Sequence, residues 1–103
     1  DASAAIEQVL KDAGRFDELL ALLEKRILGV DDRDLKAAVL ARMASVADRE
    51  VGDVDRAIGL WVQRSTVKPE DMMSWQALAD LYEKVERWED LAATLRRQLD
   101  LRR

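Results

Sequence analysis

One pattern of apolar residues recurs three times along the chain and limits its fold more than any other feature. Residues 9–16 match residues 81–88 at an offset of 72 positions. Residues 46–54 form a middle copy with one extra residue in its turn. A unit of about 36 residues that recurs in this way buries its apolar side by stacking on its neighbours, which predicts an α-solenoid.

Helical spacing holds within each copy. Apolar residues recur at steps of three and four positions, as on one face of an α-helix, and no useful stretch alternates with the period of a strand. In the last segment Trp88, Leu95 and Leu99 share such a face. The sequence therefore predicts an all-α fold of six helices, at about residues 2–13, 16–28, 33–51, 54–67, 71–85 and 88–101.

Short polar turns separate the predicted helices. Gly14 and Gly52 stand where a left-handed residue would end a helix. Asp32, Asp53 and Asp71 are predicted N-caps, because a short carboxylate accepts a hydrogen bond from an amide of the first turn. Since the connections are short, we expect successive helices to pack as antiparallel hairpins.

The composition excludes several kinds of chemistry. The 103 residues contain no cysteine and no histidine, which removes disulfides, thiol and imidazole catalysis and nearly every zinc site. A net charge of −4 argues against a general nucleic-acid binder, and no apolar run approaches the roughly 20 residues that span a bilayer. A chain without cysteine suits oxidising and reducing compartments alike, so the cytoplasm is only the default. Because the chain opens at Asp1, without methionine, we expect it to be part of a longer protein.

Catalysis finds little support in the remaining polar residues. The serines have no histidine to activate them, and the four glycines are too far apart for a phosphate-binding loop. Neighbouring acidic residues lie at predicted turns or helix starts, where a carboxylate favours the positive end of the helix dipole. We expect no enzymatic activity, no cofactor and no bound metal, with an unsuspected carboxylate site as the alternative.

Two segments resemble the two halves of a tetratricopeptide repeat. The motif W-x2-L-A-x2-Y at residues 75–82 is similar to the first half, with alanine in place of the usual glycine. The motif A-x3-W at residues 57–61, followed by Pro69, is similar to the second half. The resemblance implies a right-handed superhelix of three repeats in a single domain, residues 1–103. The repeats lie at about residues 2–31, 34–69 and 71–103.

Some positions depart from the family pattern. Glu7 occupies the small-residue position of the first copy, and a late alanine of the second helix is replaced by Arg26, Arg64 and Gln98. The repeats are therefore degenerate, and no subfamily is assigned. A HEAT-like array is the structural alternative, although its repeats are usually longer.

The three tryptophans lie in register with the apolar faces. We expect Trp61, Trp75 and Trp88 to be buried, and truncating a buried one to alanine should cost about 3–5 kcal/mol. An aromatic binding cage is the alternative.

The resemblance also implies a concave groove lined by the first helix of each repeat. The lysine and asparagine clamp that some family members use for a C-terminal carboxylate is missing, because Ala4, Ala41 and Gln76 occupy its key positions. The polar residues of the groove carry both charge signs, which suits a partner peptide or helix that does the same. A merely solvated helix face is the alternative for each residue. The predicted partner-binding residues are Arg42, Ser45, Arg49, Met73, Gln76, Asp80 and Glu83, with Gln8, Lys11, Asp12 and Asp48 beside them.

Two functions are compatible with these features. The first is a non-catalytic scaffold that binds a protein or peptide in the groove, without nucleic acid or a membrane span. The second is an interior segment of a longer solenoid that spaces domains or self-associates through the terminal helix. Leu95, Leu99 and Leu101 of that helix would lie under a following hairpin. The acidic face of a following repeat or of a neighbouring molecule could meet the arginines near the C-terminus, Arg96, Arg97, Arg102 and Arg103.

Overall fold

Six α-helices form the computed structural model, which describes residues 2–102. Asp1 and Arg103, the ends of the predicted domain, lie outside the described residues. No strand occurs within residues 2–102, which confirms the all-α prediction. The helices are α1 (Ala2–Asp12), α2 (Phe16–Leu28), α3 (Arg33–Val46), α4 (Val54–Val67), α5 (Met72–Lys84) and α6 (Trp88–Leu101).

The third predicted helix differs from expectation in its last turn. The α-helix ends at Val46 and continues as a π-helical turn over Ala47–Val51. The Gly52 amide donates to the Ala47 carbonyl, and the Asp53 amide donates to the same oxygen at 2.9 Å. A π-helix holds one residue more per bonded loop than an α-helix, so this turn accommodates the extra residue of the middle copy.

The predicted capping residues occupy the positions that the sequence assigns to them. Asp32 and Asp53 each accept a hydrogen bond of 3.0 Å from the amide three residues on, and Asp71 accepts one of 2.9 Å from the Met73 amide. Gly52 has φ +78°, a left-handed conformation that a side chain disfavours. These contacts end and begin the helices at the predicted turns.

The helices pack in chain order. Each of the pairs α1/α2, α3/α4 and α5/α6 forms an antiparallel hairpin, and α2 packs on α3 as α4 packs on α5. Buried leucines of α2 join Met43 and Leu40 of α3, Trp61 of α4 and Leu78 of α5 in one core. The molecule measures 43 × 29 × 16 Å. An elongated stack of hairpins, in place of a bundle closed around one centre, is the architecture of a helical repeat array.

The tryptophans do not share one environment. Trp61 is buried, as predicted. Trp75 is partly buried, and its indole N–H donates to the Pro69 carbonyl at 2.9 Å. The prediction for Trp88 is wrong, because 57% of this residue is exposed. Periodicity placed Trp88 on an apolar face of α6, but no described element packs over that face.

Candidate functional site

The first of two neighbouring clefts opens between the first hairpin and α3. It has a volume of about 220 Å³. Arg42, Ser45 and Arg49, three of the predicted partner-binding residues, line it. Helical spacing explains the grouping, since residues three, four and seven positions apart share one helix face. Its other lining residues are Lys11, Phe16, Leu19, Val46 and Glu50.

The second cleft lies on the other side of α3, toward α5. It has a volume of about 180 Å³ and is lined by Ala44, Ser45, Asp48, Arg49, Trp61, Ala77, Asp80 and Leu81. Ser45 and Arg49 therefore border both clefts. The π-helical turn carries Asp48 and Arg49 at this point, so the widened backbone presents both residues to the clefts.

Three further predicted residues lie on α5 outside the lining of these clefts. Met73, Gln76 and Glu83 are exposed, and they share one helix face with Asp80, since the four positions are spaced by three, four and three. They extend the polar surface along α5 without forming a pocket of their own with Arg42, Ser45 and Arg49.

Sequence reasoning missed a buried carboxylate beside the first cleft. Glu7 of α1 is almost fully buried between two guanidinium groups. Arg26 Nη1 donates to Glu7 Oε2 at 2.9 Å, and Arg42 Nη1 lies 2.9 Å from Glu7 Oε1. A buried carboxylate needs such partners because burial disfavours its charge. Glu7 therefore links α1 to both α2 and α3, and its departure from the family pattern was the available signal.

A buried arginine joins the second hairpin to the third. The Arg64 guanidinium donates to the Ala37 carbonyl at 3.0 Å, to Ser74 Oγ at 2.8 Å and to Asp71 Oδ2 at 3.0 Å. These acceptors lie on α3, on α5 and at the N-cap of α5, so one side chain sets the position of α4 against both. The arginine in a family alanine position signals this contact in the sequence.

Electrostatic effects around α5 are local. The Met73 amide hydrogen bond, together with Arg64 and Lys68, holds the pKa of the Asp71 carboxyl below its usual value. Burial raises the pKa of the Tyr82 phenol, with a further increase from Asp90, although the Arg87 guanidinium near the ring opposes the shift. Tyr82 therefore stays neutral near pH 7 and supplies no negative charge to the site.

The chemistry of the clefts is that of a contact surface. Within residues 2–102, no three acidic side chains are grouped closely enough to hold a metal ion. The first cleft combines the cations Lys11, Arg42 and Arg49 with the carboxylate of Glu50 and apolar walls. The second contains the carboxylates of Asp48, on the π-helical turn, and Asp80, on α5. None of the described helices is both long enough and apolar enough to cross a bilayer.

Comparison with known proteins agrees with this architecture. The model of one tetratricopeptide repeat family matches residues 74–103, which include α5 from Ser74 onward and the whole of α6. No curated protein matches the chain. Tetratricopeptide repeats are typically non-catalytic modules that contact other proteins, so the match implies a protein partner. Together with this match, six helices packed as three successive hairpins support a tetratricopeptide-like helical repeat fold.

Proposed function

We propose that this chain is a non-catalytic interaction scaffold that holds an extended peptide or a partner helix along α1, α3 and α5. The observation that carries the proposal is the sharing of Ser45 and Arg49 between two adjoining clefts. The clefts adjoin at these two residues, and together their linings include residues of α1, α3 and α5.

Charge sets the kind of partner that fits. Lys11 is exposed on α1 and Arg49 on the π-helical turn that follows α3, whereas Asp80 and Glu83 are exposed on α5. Arg42 is partly committed to Glu7, so Lys11 and Arg49 supply most of the available positive charge. A segment with acidic residues at one end and basic residues at the other complements this order.

Selection from a displayed library of random twelve-residue peptides tests the proposal. We expect enriched peptides to place acidic and basic residues in two separate blocks. Arg49→Glu should weaken their binding by about tenfold or more, because it reverses a charge that borders both clefts. The amide signals of Ser45 and Arg49 should shift on titration with such a peptide.

Arg102→Glu is the matched control, because it makes the same charge change at an exposed position beyond α6. This variant should bind the selected peptides as the wild type does. If no peptide is enriched, or if Arg49→Glu and Arg102→Glu weaken binding equally, the groove is not the binding surface.

A second candidate function is structural. In it the chain is a stretch of a longer array that spaces domains or self-associates. The exposure of Trp88, Leu95 and Leu99 on α6 favours this candidate, because a terminal hairpin of a repeat array normally presents a polar outer face.

A further inference from the structure

The last helix exposes two leucines to solvent and buries two polar residues. Thr94 and Gln98 of α6 are buried, whereas Leu95 is 49% exposed and Leu99 is 58% exposed. Trp88 and Ala92 complete a straight stripe with these leucines, at spacings of four, three and four positions. We call Trp88, Ala92, Leu95 and Leu99 the C-terminal stripe.

The same stripe occurs on the second helices of the other hairpins, where it is buried. The offset of 72 positions aligns Leu95 with Leu23 of α2, and the middle copy places Trp61 of α4 there. Leu23 is 0% exposed and Trp61 is buried. Similarly, Ala92 aligns with Leu20, which is fully buried. The C-terminal stripe is therefore the face that covers the next hairpin elsewhere in the molecule.

The internal interfaces show what packs on this face. Phe16, the equivalent of Trp88, lines a cleft together with Val46 of α3. Ile27, the equivalent of Leu99, lines another together with Met43. Trp61 lines a third with Leu81 of α5. In each case a residue of the stripe and an apolar residue of the first helix of the following hairpin border the same cleft, so the two faces lie next to each other.

The first helix of this chain has such a face without a cover. Ile6 aligns with Met43 and with Leu78, which are both buried, yet Ile6 is 50% exposed. Val9 aligns with Val46 and Leu81, and it is 65% exposed. We call Ile6 and Val9 the N-terminal face. The two ends of the molecule thus carry the two halves of one interface that already forms twice inside it.

We propose that the C-terminal stripe docks on the N-terminal face of a second copy of this chain. In this contact Leu95 lies against Val9 of the second copy, and Leu99 lies against Ile6. Within the molecule the equivalent pairs border shared clefts, Trp61 with Leu81 and Ile27 with Met43. Because the two faces differ, the contact is heterologous and leaves one face open at each end, so copies add head to tail. The proposal develops the structural candidate and is independent of peptide binding in the groove.

One ion pair supports a second copy as the occupant. Between the first two hairpins, Arg56 Nη2 lies 3.3 Å from Glu24 Oε1. The equivalent positions at the two ends are Glu18 on α2 and Arg96 on α6, both exposed. Docking brings these two residues together with the signs exchanged, so opposite charges still meet.

Two like-charged pairs limit the strength of the contact. In the docked pair, Glu89 occupies the position that Asp17, the more distant partner of Arg56, has between the first two hairpins. Since Glu18 occupies the position of Arg56, Glu89 faces Glu18. A second ion pair within the molecule joins Asp48 and Lys84 at 3.6 Å. The docked pair has Glu83 at the position of Asp48 and Asp12 at the position of Lys84, so two carboxylates face each other there. The four acidic residues of the docked pair are exposed to solvent, where the energy of a single charge pair is small. We therefore expect an association that is driven by the apolar centre of the contact and is visible at high concentration.

Sedimentation equilibrium of the whole chain from about 10 μM to about 1 mM tests the proposal. The average mass of the wild type should rise past that of a dimer as concentration increases. Leu95→Asp and Ile6→Asp should each remain monomeric, because a carboxylate at the centre of the contact is desolvated without a partner. Val62→Asp, at an exposed position of the middle hairpin, should associate as the wild type does.

Mixing the two monomeric variants separates head-to-tail docking from other arrangements. Leu95→Asp keeps an intact N-terminal face and Ile6→Asp keeps an intact C-terminal stripe, so an equimolar mixture should form dimers and nothing larger. Far-ultraviolet circular dichroism of each variant verifies that it is folded. A wild type that stays monomeric to about 1 mM overturns the proposal. An Ile6→Asp variant that associates alone also overturns it, because two C-terminal stripes would then pair with each other.

Discussion

The stripe on α2 and the stripe on α6 have the same spacing but opposite environments. Leu20 and Leu23 of α2 are fully buried, whereas Ala92 and Leu95 of α6 are exposed to solvent. The difference lies in the neighbouring element, since α3 packs on α2 and no described element packs over the α6 stripe. Burial in this fold is therefore a property of a pair of hairpins and not of one helix.

Tryptophan truncation gives the largest expected contrast between the middle and the end. Trp61→Ala should lower the free energy of unfolding by about 3–5 kcal/mol, because it removes a buried side chain from the core. Trp88→Ala should cost about 1 kcal/mol or less, since the residue is mostly exposed. Urea unfolding followed by circular dichroism, at a concentration too low for self-association, measures both. Equal losses of stability would mean that Trp88, at the start of α6, is covered in solution.

Arg64 and Gln98 occupy equivalent positions in the middle and last hairpins. Arg64→Met should lower the free energy of unfolding by about 1–3 kcal/mol, because Ser74 Oγ and the Ala37 carbonyl lose their buried donor. Gln98→Met should cost about 1 kcal/mol or less, because within residues 2–102 the Gln98 side chain does not bridge two hairpins as Arg64 does. Urea unfolding of the two variants tests this difference. A larger loss for Gln98→Met would show that Arg64 does not join the second and third hairpins energetically.

The turns of the first and last hairpins offer a stabilising change. Glu86 has φ +59° at the position where the first hairpin has Gly14 with φ +72°. Glu86→Gly should raise the free energy of unfolding by about 1 kcal/mol, because a left-handed backbone is strained for glutamate and relaxed for glycine. Gly14→Ala should lower it by a similar amount, although no atom would clash with the added methyl group. Thermal unfolding of both variants measures the effect, and shifts of the same sign would contradict it.

Acid should loosen the junction between the second and third hairpins by a smaller amount. The pKa of Asp71 is lowered in the folded chain, mainly by the Met73 amide and also by Arg64 and Lys68, so the unfolded chain binds this proton first. The stabilisation is therefore complete above about pH 4 and is lost as the pH falls through the folded value. Urea unfolding between about pH 6 and pH 3 should show a weaker pH dependence for Asp71→Asn than for the wild type.

Asp12→Asn controls for the change in net charge, because it removes one carboxylate from α1, far along the chain from this junction. If Asp71→Asn keeps the full pH dependence of the wild type, the Asp71 contacts do not contribute to acid sensitivity.

Most helix limits were predictable because their signals are local. A capping aspartate and the amide that it binds are two or three residues apart, and an apolar period is visible in one turn. The family resemblance likewise predicted the three hairpins. The π-helical turn was signalled by one extra residue, although its geometry was not predicted.

The candidate site was predicted less completely. The family resemblance placed Arg42, Ser45 and Arg49 together in the predicted groove, and in the structure all three line one cleft. The sequence did not show that Arg42 is shared with Glu7, because these residues lie on different helices. Whether the clefts bind a partner stays a prediction.

The sequence by itself determined the number of helices and most of their ends, because these depend on residues a few positions apart. The stacking of hairpins was indicated by the recurrence of one unit at about 36 residues. Only the tertiary structure decided that Trp88 is exposed, that Glu7 is paired twice and that Arg64 spans three elements. The physical reason is the sequence separation of the residues that interact. Burial and ion pairing depend on distances between helices, and those distances are set by packing that a one-dimensional pattern does not contain.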